Sequence, residues 1–318
     1  MLAYLDDMPA AETWDKAYDC HSTIIQVLDD CGASRAQGKS IPPTTLMVFL
    51  GVLFNTVTMT LEVTAERLQE LAGLLDEWLS RNTVNRKTVE EIVGKLNFVA
   101  SCVRPGRLFI ARLLEFLRGL PKVGQYEVTE EFRKDLLWWK KFLPTYNGVS
   151  MMALEEWSRP DEIFASDACL EGCGGWFPEK GEYFHAQFPE GIKRQELSIN
   201  GLELLTIVVA VKIWGKHWKG KRIVVQCDNE ASVWCLNQGK ADNSFLLACL
   251  REIEMCAATR EFEIRGNWIS GISNRIPDAL SRWDLNPSYR EEFRRQVQGR
   301  QVKEIFVYEG LFEFAHDW

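Results

Sequence analysis

One run of residues limits the possible folds more than any other: residues 201–211 read Gly-Leu-Glu-Leu-Leu-Thr-Ile-Val-Val-Ala-Val. A helix that is apolar on nearly every side must be buried, so other elements have to surround it. Glu203 lies inside this run, and no Lys or Arg is within one helical turn of it. Burying an unpaired carboxylate costs on the order of several kcal/mol. Glu203 is therefore expected to be protonated, paired with a base or bound to a metal ion.

Two further acids follow short apolar runs that are typical of β-strands. Asp167 comes after residues 163–166, and Asp228 comes after residues 222–227. In open α/β sheets, ligands bind at the carboxyl ends of strands, where loops open without disturbing the core. Two carboxylates at two strand ends therefore predict a cation site.

The pattern around these two strands predicts a mixed sheet with helices packed on it. Further strands are expected at 172–177, 183–188 and 261–265, and helices are expected at 199–218, 230–237 and 244–258. The first three strands follow one another directly, which favours antiparallel pairing among them. The later strands alternate with helices, which favours parallel pairing. We therefore expect an α/β fold with a mixed five-stranded sheet and flanking helices.

A fourth acid, Asp278, follows Pro277 at the expected first turn of a helix. Each acid taken alone has an ordinary alternative, because Asp is common in turns after strands and compensates the dipole at helix N-termini. Together the four acids form an oxygen-only set, which favours Mg²⁺ or Mn²⁺ over zinc. Two such ions about 4 Å apart suit the in-line cleavage of a phosphodiester.

The composition fits a folded chain with room for two ordinary domains, since 46% of its 318 residues are hydrophobic. The nine cysteines show neither a disulfide framework nor zinc-ligand spacing. No apolar run approaches the roughly 20 residues of a membrane span, and the first residues lack the basic start of a secretory leader. We expect a cytoplasmic or nuclear chain without a membrane partner.

The net charge of −8 is unusual for a chain that binds nucleic acid, because affinity for phosphates comes from Lys and Arg. Residues 81–145, however, hold 13 Lys and Arg against 7 Asp and Glu. Residues 64–147 are predicted to form about four amphipathic helices, with N-caps at Thr64 and Thr88. The basic faces of these helices either contact phosphates or are only solvated.

The motifs around the four acids resemble, in order, the ribonuclease H domain of retroelement polyproteins. They are Ser166-Asp167-Ala168, Gly201-Leu202-Glu203-Leu204, Cys227-Asp228-Asn229 and Asp278-Ala279-Leu280-Ser281-Arg282. The resemblance implies an RNase H-like fold and an RNA–DNA hybrid as substrate. It implies a contact of Asn229 with the substrate or with the ligands. It also implies catalytic ligands for Mg²⁺ or Mn²⁺ at Asp167, Glu203, Asp228 and Asp278.

Upstream, Tyr4-Leu5-Asp6-Asp7 resembles the Tyr-x-Asp-Asp turn of a reverse transcriptase palm. This resemblance implies that Asp6 and Asp7 bind metal ions. The alternative is an ordinary turn, since paired aspartates are common in turns.

Three further segments extend this second resemblance. Residues 49–51 resemble the primer-contact hairpin of the palm, and residues 94–98 resemble the thumb and connection. Residues 103–108, taken with the other motifs, are most similar to the tyrosine-recombinase (DIRS-type) retrotransposons. The implied nucleic-acid contacts are Gly51, Lys95, Arg104 and Arg107.

Two departures limit what the resemblance implies. Many ribonucleases H place a His in the loop before the last Asp, whereas this chain has Trp268 there, so cleavage is expected to be slower rather than lost. Tyr4 also lies close to Met1, so the fingers and most of the palm are expected to be missing. The chain is then not expected to polymerise DNA alone, and its partners are expected to include the missing fingers–palm segment or a second copy.

The predicted organisation has four parts: a palm remnant over 1–62, a helical thumb or connection over 63–150, an RNase H-like domain over 160–284 and a tail over 285–318 without an assigned role. The first part is expected to contain a strand, a helix over 13–30 and a β-rich run over 47–61. The predicted function is metal-dependent cleavage of the RNA strand of RNA–DNA hybrids. The alternative is a catalytically silent fragment of a retroelement polyprotein that binds nucleic acid or assembles with other parts.

Overall fold

The structure, a computed structural model, describes residues 8–33, 40–144, 148–150, 159–241 and 243–316. The predicted Tyr-x-Asp-Asp turn, with Asp6 and Asp7, lies outside these residues. Within the described ranges, no helix is long and apolar enough to cross a lipid bilayer. All nine cysteines are described, and none of them forms a disulfide.

The elements before residue 151 comprise a leading helix, a four-stranded antiparallel sheet and four further helices. These elements are α1 Ala17–Asp30, β1 Leu46–Phe49, β2 Val52–Asn55, β3 Thr60–Val63, α2 Ala65–Ser80, β4 Thr83–Val84, α3 Arg86–Val99, α4 Ala111–Gly119, β5 Tyr126–Glu127, α5 Glu130–Phe142 and β6 Val149–Ser150. The sheet has the order β1-β2-β3-β6, and β4 pairs with β5 in a separate short ladder. The four helices predicted over 64–147 are α2 to α5.

A two-residue turn joins β1 to β2. Leu50 and Gly51 both have positive φ, at 50° and 80°, which is the left-handed backbone that such a hairpin turn requires. A Cβ atom on Gly51 would lie 2.6 Å from the guanidinium of Arg67 on α2. The positive φ is therefore the main reason for glycine at position 51, because the arginine side chain could move aside.

One predicted helix start is wrong. Helix α3 begins at Arg86, and its N-cap is Asn85, whose side-chain oxygen accepts a hydrogen bond from the backbone N–H of Thr88 at 2.9 Å. Thr88 is thus inside the first turn. The error arose because Thr88 precedes two acids, whereas Asn also caps helices well. Thr64 does occupy the N-cap position of α2, although its side chain makes no capping hydrogen bond.

The elements after residue 158 are β7 Glu162–Ala168, β8 Gly172–Phe177, β9 Glu182–Gln187, α6 Glu190–Lys193, α7 Ile199–Trp214, β10 Arg222–Cys227, α8 Glu230–Gln238, α9 Ser244–Thr259, β11 Glu263–Trp268, α10 Arg275–Ser281, α11 Pro287–Gln296 and β12 Lys303–Glu304. The strands form a mixed six-stranded sheet with the order β11-β10-β7-β8-β9-β12. The first three, β7 to β9, pair antiparallel, and β10 runs parallel to both β7 and β11. This is the mixed α/β arrangement that the sequence predicts.

The sixth strand corrects the expected count of five. Strand β12 comes from the tail and runs parallel to β9 at the edge of the sheet. The backbone N–H of Lys303 donates to Gly181 at 2.8 Å, and that of Ile305 donates to Tyr183 at 2.7 Å. A strand of two charged residues shows no alternation of apolar and polar side chains, so its sequence gave no strand signal.

Helix α7 contains the apolar run and is buried between the sheet and α9. The side chain of Trp214 closes its C-terminal end against rings from three neighbouring strands, and the α-helix stops there rather than at residue 218. A short 3-10 turn, Gly215–His217, follows. The rings in contact with Trp214 are Phe164, Phe177 and Phe184.

A single apolar core includes residues from both the N-terminal helices and the α/β elements. Arg251 of α9 crosses between these two parts. It is fully buried and donates to Asp135 of α5 at 3.0 Å and to the carbonyl of Leu108 at 3.2 Å. Burial raises the pKa of Asp135 to about 6, although the guanidinium groups of Arg251 and Arg112 oppose this shift. The Arg251–Asp135 ion pair therefore connects the N-terminal helices and the α/β elements inside the core.

Replacing Arg251 with Met is expected to lower the free energy of unfolding by about 3–5 kcal/mol, because it leaves Asp135 buried without its closest partner. The double variant Arg251→Met/Asp135→Leu is expected to recover most of this loss, since it removes both charges. Urea unfolding measures the effect. Lys140→Gln is the control, because it removes an exposed ion pair with Asp76. If Arg251→Met were as stable as Arg251→Met/Asp135→Leu, the unpaired Asp135 would not be the cause of the loss.

Candidate metal centre

Three of the four predicted acids converge at one place. Asp167 lies on β7, Glu203 lies on α7 and Asp228 directly follows β10. Each offers a carboxylate oxygen, and these three atoms lie within 4.8 Å of one another. Strands β7 and β10 are parallel neighbours, so their carboxyl ends meet at one edge of the sheet, and α7 packs against that sheet. Asp167 is one residue short of the end of β7, which continues to Ala168.

Asp167 is buried and held by two side chains that follow β11. The hydroxyl of Ser281 donates to its Oδ2 atom at 2.5 Å. The amide of Asn274 donates to the backbone carbonyl of Ser166 at 3.0 Å and lies 3.5 Å from Asp167 Oδ1. The sequence motifs included Ser281 but gave it no role. The only available signal was its position one helical turn after Asp278, which places both residues on one face of α10.

Glu203 is 3% exposed and accepts hydrogen bonds from two neighbours. The backbone N–H of Ala168 donates to Oε1 at 3.2 Å, and the thiol of Cys227 donates to Oε2 at 3.6 Å. Of the three explanations proposed for a buried glutamate, pairing with a basic side chain is not seen among the described residues. Protonation and metal binding both remain consistent with these contacts.

Burial and mutual repulsion disfavour the charged forms of two of these carboxylates. Burial raises the pKa of Asp167 to about 7, the hydroxyl of Ser281 opposes this, and the carboxylates of Asp228 and Asp278 add to it. Burial also raises the pKa of Glu203 well above its usual range, and the charge of Asp167 adds to that shift. Such repulsion is relieved when a cation binds between the carboxylates.

Asp228 is only partly buried, and its carboxylate accepts no hydrogen bond from the part of the chain that the structure describes. Its backbone carbonyl accepts one from the indole N–H of Trp268 at 3.0 Å. The loop after β11 passes close to its side chain, because a Cβ atom on Gly271 would lie 3.1 Å from Asp228 Oδ2. Asp228 is therefore the acid of this group that remains open to a ligand.

Asp278 lies beside the three convergent acids and is not one of them. It is in the first turn of α10, with 37% of its side chain exposed, and it pairs with Arg282 at 2.9 Å. Burial raises its pKa, the charge of Arg282 opposes this shift, and the carboxylate of Asp228 adds to it. Asp278 thus interacts electrostatically with the group while its own carboxylate faces a guanidinium.

Helix α10 reaches this position because β8 is rich in glycine. Gly174 pairs with Asp167 across the sheet, and a Cβ atom there would lie 2.4 Å from the Cβ of Leu280 and 2.7 Å from the backbone nitrogen of Ser281. Any other residue at 174 would push α10 away. The close approach brings the hydroxyl of Ser281 within reach of Asp167.

Asn229, predicted to contact the substrate or the ligands, is the N-cap of α8. Its side-chain oxygen accepts from the backbone N–H of Ser232 at 2.9 Å, and its amide donates to Asn200 Oδ1 at 2.8 Å. These bonds fix the start of α8 immediately after Asp228. A contact of Asn229 with nucleic acid stays a prediction.

The predicted nucleic-acid contacts of the N-terminal part lie on separate elements. Gly51 is in the turn after β1, and Lys95 on α3 pairs with Glu70 of α2. Arg107 is exposed at the end of the 3-10 turn Arg104–Arg107, which contacts α9. The side chain of Arg104 is not part of what the structure describes. Their roles stay predictions.

The convergent side chains fit a hard divalent cation. Asp167, Glu203 and Asp228 supply oxygen donors only, which suit Mg²⁺ or Mn²⁺. No His or Cys belongs to the group of three found among the described residues. Burial, and after it the charges of the neighbouring carboxylates, raises the pKa values of Asp167 and Glu203, and a cation bound between these side chains would lower them.

Comparisons with known proteins found no matching family model and no matching curated protein. Among solved structures, the foamy viral protease-reverse transcriptase with an RNA/DNA hybrid is 15% identical over 81% of this chain, with a TM-score of 0.39. The same viral protein with double-stranded DNA is 15% identical over 82% of this chain, with a TM-score of 0.40. The chain spans 34% and 52% of the length of those two chains.

An N-terminal RNase H domain from Mycobacterium tuberculosis, solved as a fusion with maltose binding protein, is 12% identical over 41% of this chain and 98% of its own, with a TM-score of 0.30. Likenesses at these identities and scores do not establish an activity.

Replacing Asp167 with Asn is expected to flatten the pH dependence of unfolding in the cation-free protein. Because the pKa of Asp167 is raised to about 7 in the folded state, this group's stabilisation is fully present below about pH 4 and is lost as the pH rises through about 7. At about 1.4 kcal/mol per pKa unit, the loss between pH 5 and pH 8 is on the order of a few kcal/mol.

Urea unfolding at pH 5 and pH 8 with a chelator measures this difference. Glu179→Gln changes an exposed carboxyl in a turn and is expected to keep the wild-type pH dependence. If Asp167→Asn lost as much stability between the two pH values as the wild type, the pKa of Asp167 would not be raised in the folded protein.

Proposed function

We propose that this chain is a metal-dependent endonuclease that cleaves the RNA strand of RNA–DNA hybrids, in the manner of a retroelement ribonuclease H. The observation that carries the proposal is the convergence of the Asp167, Glu203 and Asp228 carboxylates within 4.8 Å at one edge of the mixed sheet. The four sequence motifs occur in the order typical of retroelement ribonucleases H, and this resemblance indicates an RNA–DNA hybrid as the substrate. We further propose that residues 160–284 form the RNase H-like domain and that residues 1–150 derive from a DIRS-type reverse transcriptase palm, thumb and connection.

In this proposal Asp167, Glu203, Asp228 and Asp278 hold Mg²⁺ or Mn²⁺. A bound divalent cation would supply Lewis-acid stabilisation of the charge that develops on a phosphodiester during cleavage. The chain's own groups prepare the site. Ser281 fixes one oxygen of Asp167, and the backbone N–H of Ala168 fixes one oxygen of Glu203.

Asp278 has a different part in the proposed reaction. Its carboxylate pairs with Arg282, and both side chains are partly exposed, at 37% and 40%. Because a partly exposed ion pair is weak, the pairing with Arg282 would not prevent Asp278 from holding a bound cation. Arg282, which also lies over the ring of Tyr289 at 5.8 Å, would then be available to a phosphate of the substrate.

The decisive experiment uses an RNA–DNA hybrid labelled on the RNA strand, in the presence of Mg²⁺ or Mn²⁺. The wild type is expected to cut the RNA strand, and Asp228→Asn is expected to be at least about 100-fold slower, because several kcal/mol of charge stabilisation are lost. Glu179→Gln is the control. It changes an exposed carboxyl in the turn after β8 and is expected to cut the RNA strand as fast as the wild type.

The alternative function, a catalytically silent module, predicts a different result. The hybrid would be bound equally by the wild type and by Asp228→Asn, and neither protein would cut it at any cation concentration. That outcome would exclude the endonuclease and favour a role in nucleic-acid binding or assembly. Single-stranded RNA and double-stranded DNA of the same sequence serve as substrate controls.

A further inference from the structure

Asp228 is restrained differently from the other two convergent acids. Asp167 accepts a hydrogen bond from Ser281, and Glu203 accepts one from Ala168. Within the described residues, nothing donates to the carboxylate of Asp228. The direction of this carboxylate is therefore set by the backbone that carries it.

That backbone segment lies between two regular elements. Cys227 is the last residue of β10, and Asn229 is the N-cap of α8. In the neighbouring strand, Trp268 pairs with Cys227, and the N–H of Ile269 donates to the Cys227 carbonyl at 3.1 Å. Asp228 itself follows the last residue of β10, so its backbone lies outside the ladder between β10 and β11.

The side chain of Trp268 holds this segment. Its indole N–H donates to the backbone carbonyl of Asp228 at 3.0 Å. The ring is 52% exposed, and core packing therefore does not explain why this large side chain lies here. The hydrogen bond is the contact that distinguishes it from an ordinary exposed aromatic residue.

From this geometry we propose that Trp268 is a positioning residue, which fixes the backbone of Asp228 so that its unsupported carboxylate points into the cation site. The inference rests on the proposed function of the three acids as a divalent-cation centre. Trp268 acts through Asp228 and does not bind the cation itself. Its loss is therefore expected to weaken cation binding without changing the stability of the cation-free fold.

The test compares Trp268→Phe with Trp234→Phe in the full chain. Phenylalanine keeps an aromatic ring at position 268 and removes only the N–H donor. Trp234 lies on α8 and is 53% exposed, so the same replacement there is a matched control. Isothermal titration calorimetry with Mn²⁺ gives the affinity, and urea unfolding in a chelator gives the stability of the cation-free protein.

We expect Trp268→Phe to bind Mn²⁺ about tenfold more weakly than the wild type, as is typical when a group that supports a metal ligand is removed. The unfolding free energy of the cation-free variant is expected to be unchanged, and Trp234→Phe is expected to match the wild type in both measurements. Hybrid cleavage by Trp268→Phe is expected to need about tenfold more Mn²⁺ for half its maximal rate.

Two results would overturn this inference while leaving the proposed function intact: wild-type Mn²⁺ affinity in Trp268→Phe, or a fall in affinity matched by a fall in the unfolding free energy of the cation-free protein. The second result would mean that Trp268 only stabilises the fold. Failure of the wild type itself to bind Mn²⁺ would overturn the cation centre, and with it both proposals.

Discussion

The burial of Glu203 next to two aspartates is the constraint on which the α/β part depends. A carboxylate that is 3% exposed needs polar partners, and Glu203 accepts hydrogen bonds from the backbone of β7 and from the thiol at the end of β10. The neighbouring carboxylate of Asp167 adds repulsion, which protonation or a bound cation would relieve. Helix α7 can hold this residue in place only because its other side chains are apolar enough to keep it between the sheet and α9. Burying this carboxylate costs free energy, and a cation bound between the acids would offset that cost.

The surroundings of the acids show how backbone packing sets the chemistry of the site. Gly174 lets α10 lie directly against β8, and this contact brings the Ser281 hydroxyl to Asp167. The same helix carries Asp278, so that one glycine fixes the position of two polar groups relative to the sheet. On the other side, the end of β11 brings Trp268 to the backbone of Asp228. Each acid is therefore supported by a different part of the chain.

The sequence predicts the features that depend on local patterns. The strands before Asp167 and Asp228 and the apolar helix around Glu203 follow from runs of hydrophobic residues, and the structure confirms the mixed sheet that they imply. Contacts between distant residues carry no such signal. The roles of Ser281 and Asn274 depend on how closely α10 packs, and β12 is too short and too charged to show a strand pattern. The predicted metal-binding role of the acids is untested, and Asp6 and Asp7 lie outside the described residues.

The Arg251–Asp135 pair and the shared apolar core have a consequence for how this chain could have been assembled from modules. A domain that could be exchanged freely would present a polar face toward its neighbour, whereas here helix α9 offers a fully buried arginine and apolar side chains to the N-terminal helices. A change at either end of the ion pair therefore alters the contact between the two parts. Exchanging one part alone would leave a buried charge without its partner, which costs on the order of several kcal/mol of folding free energy.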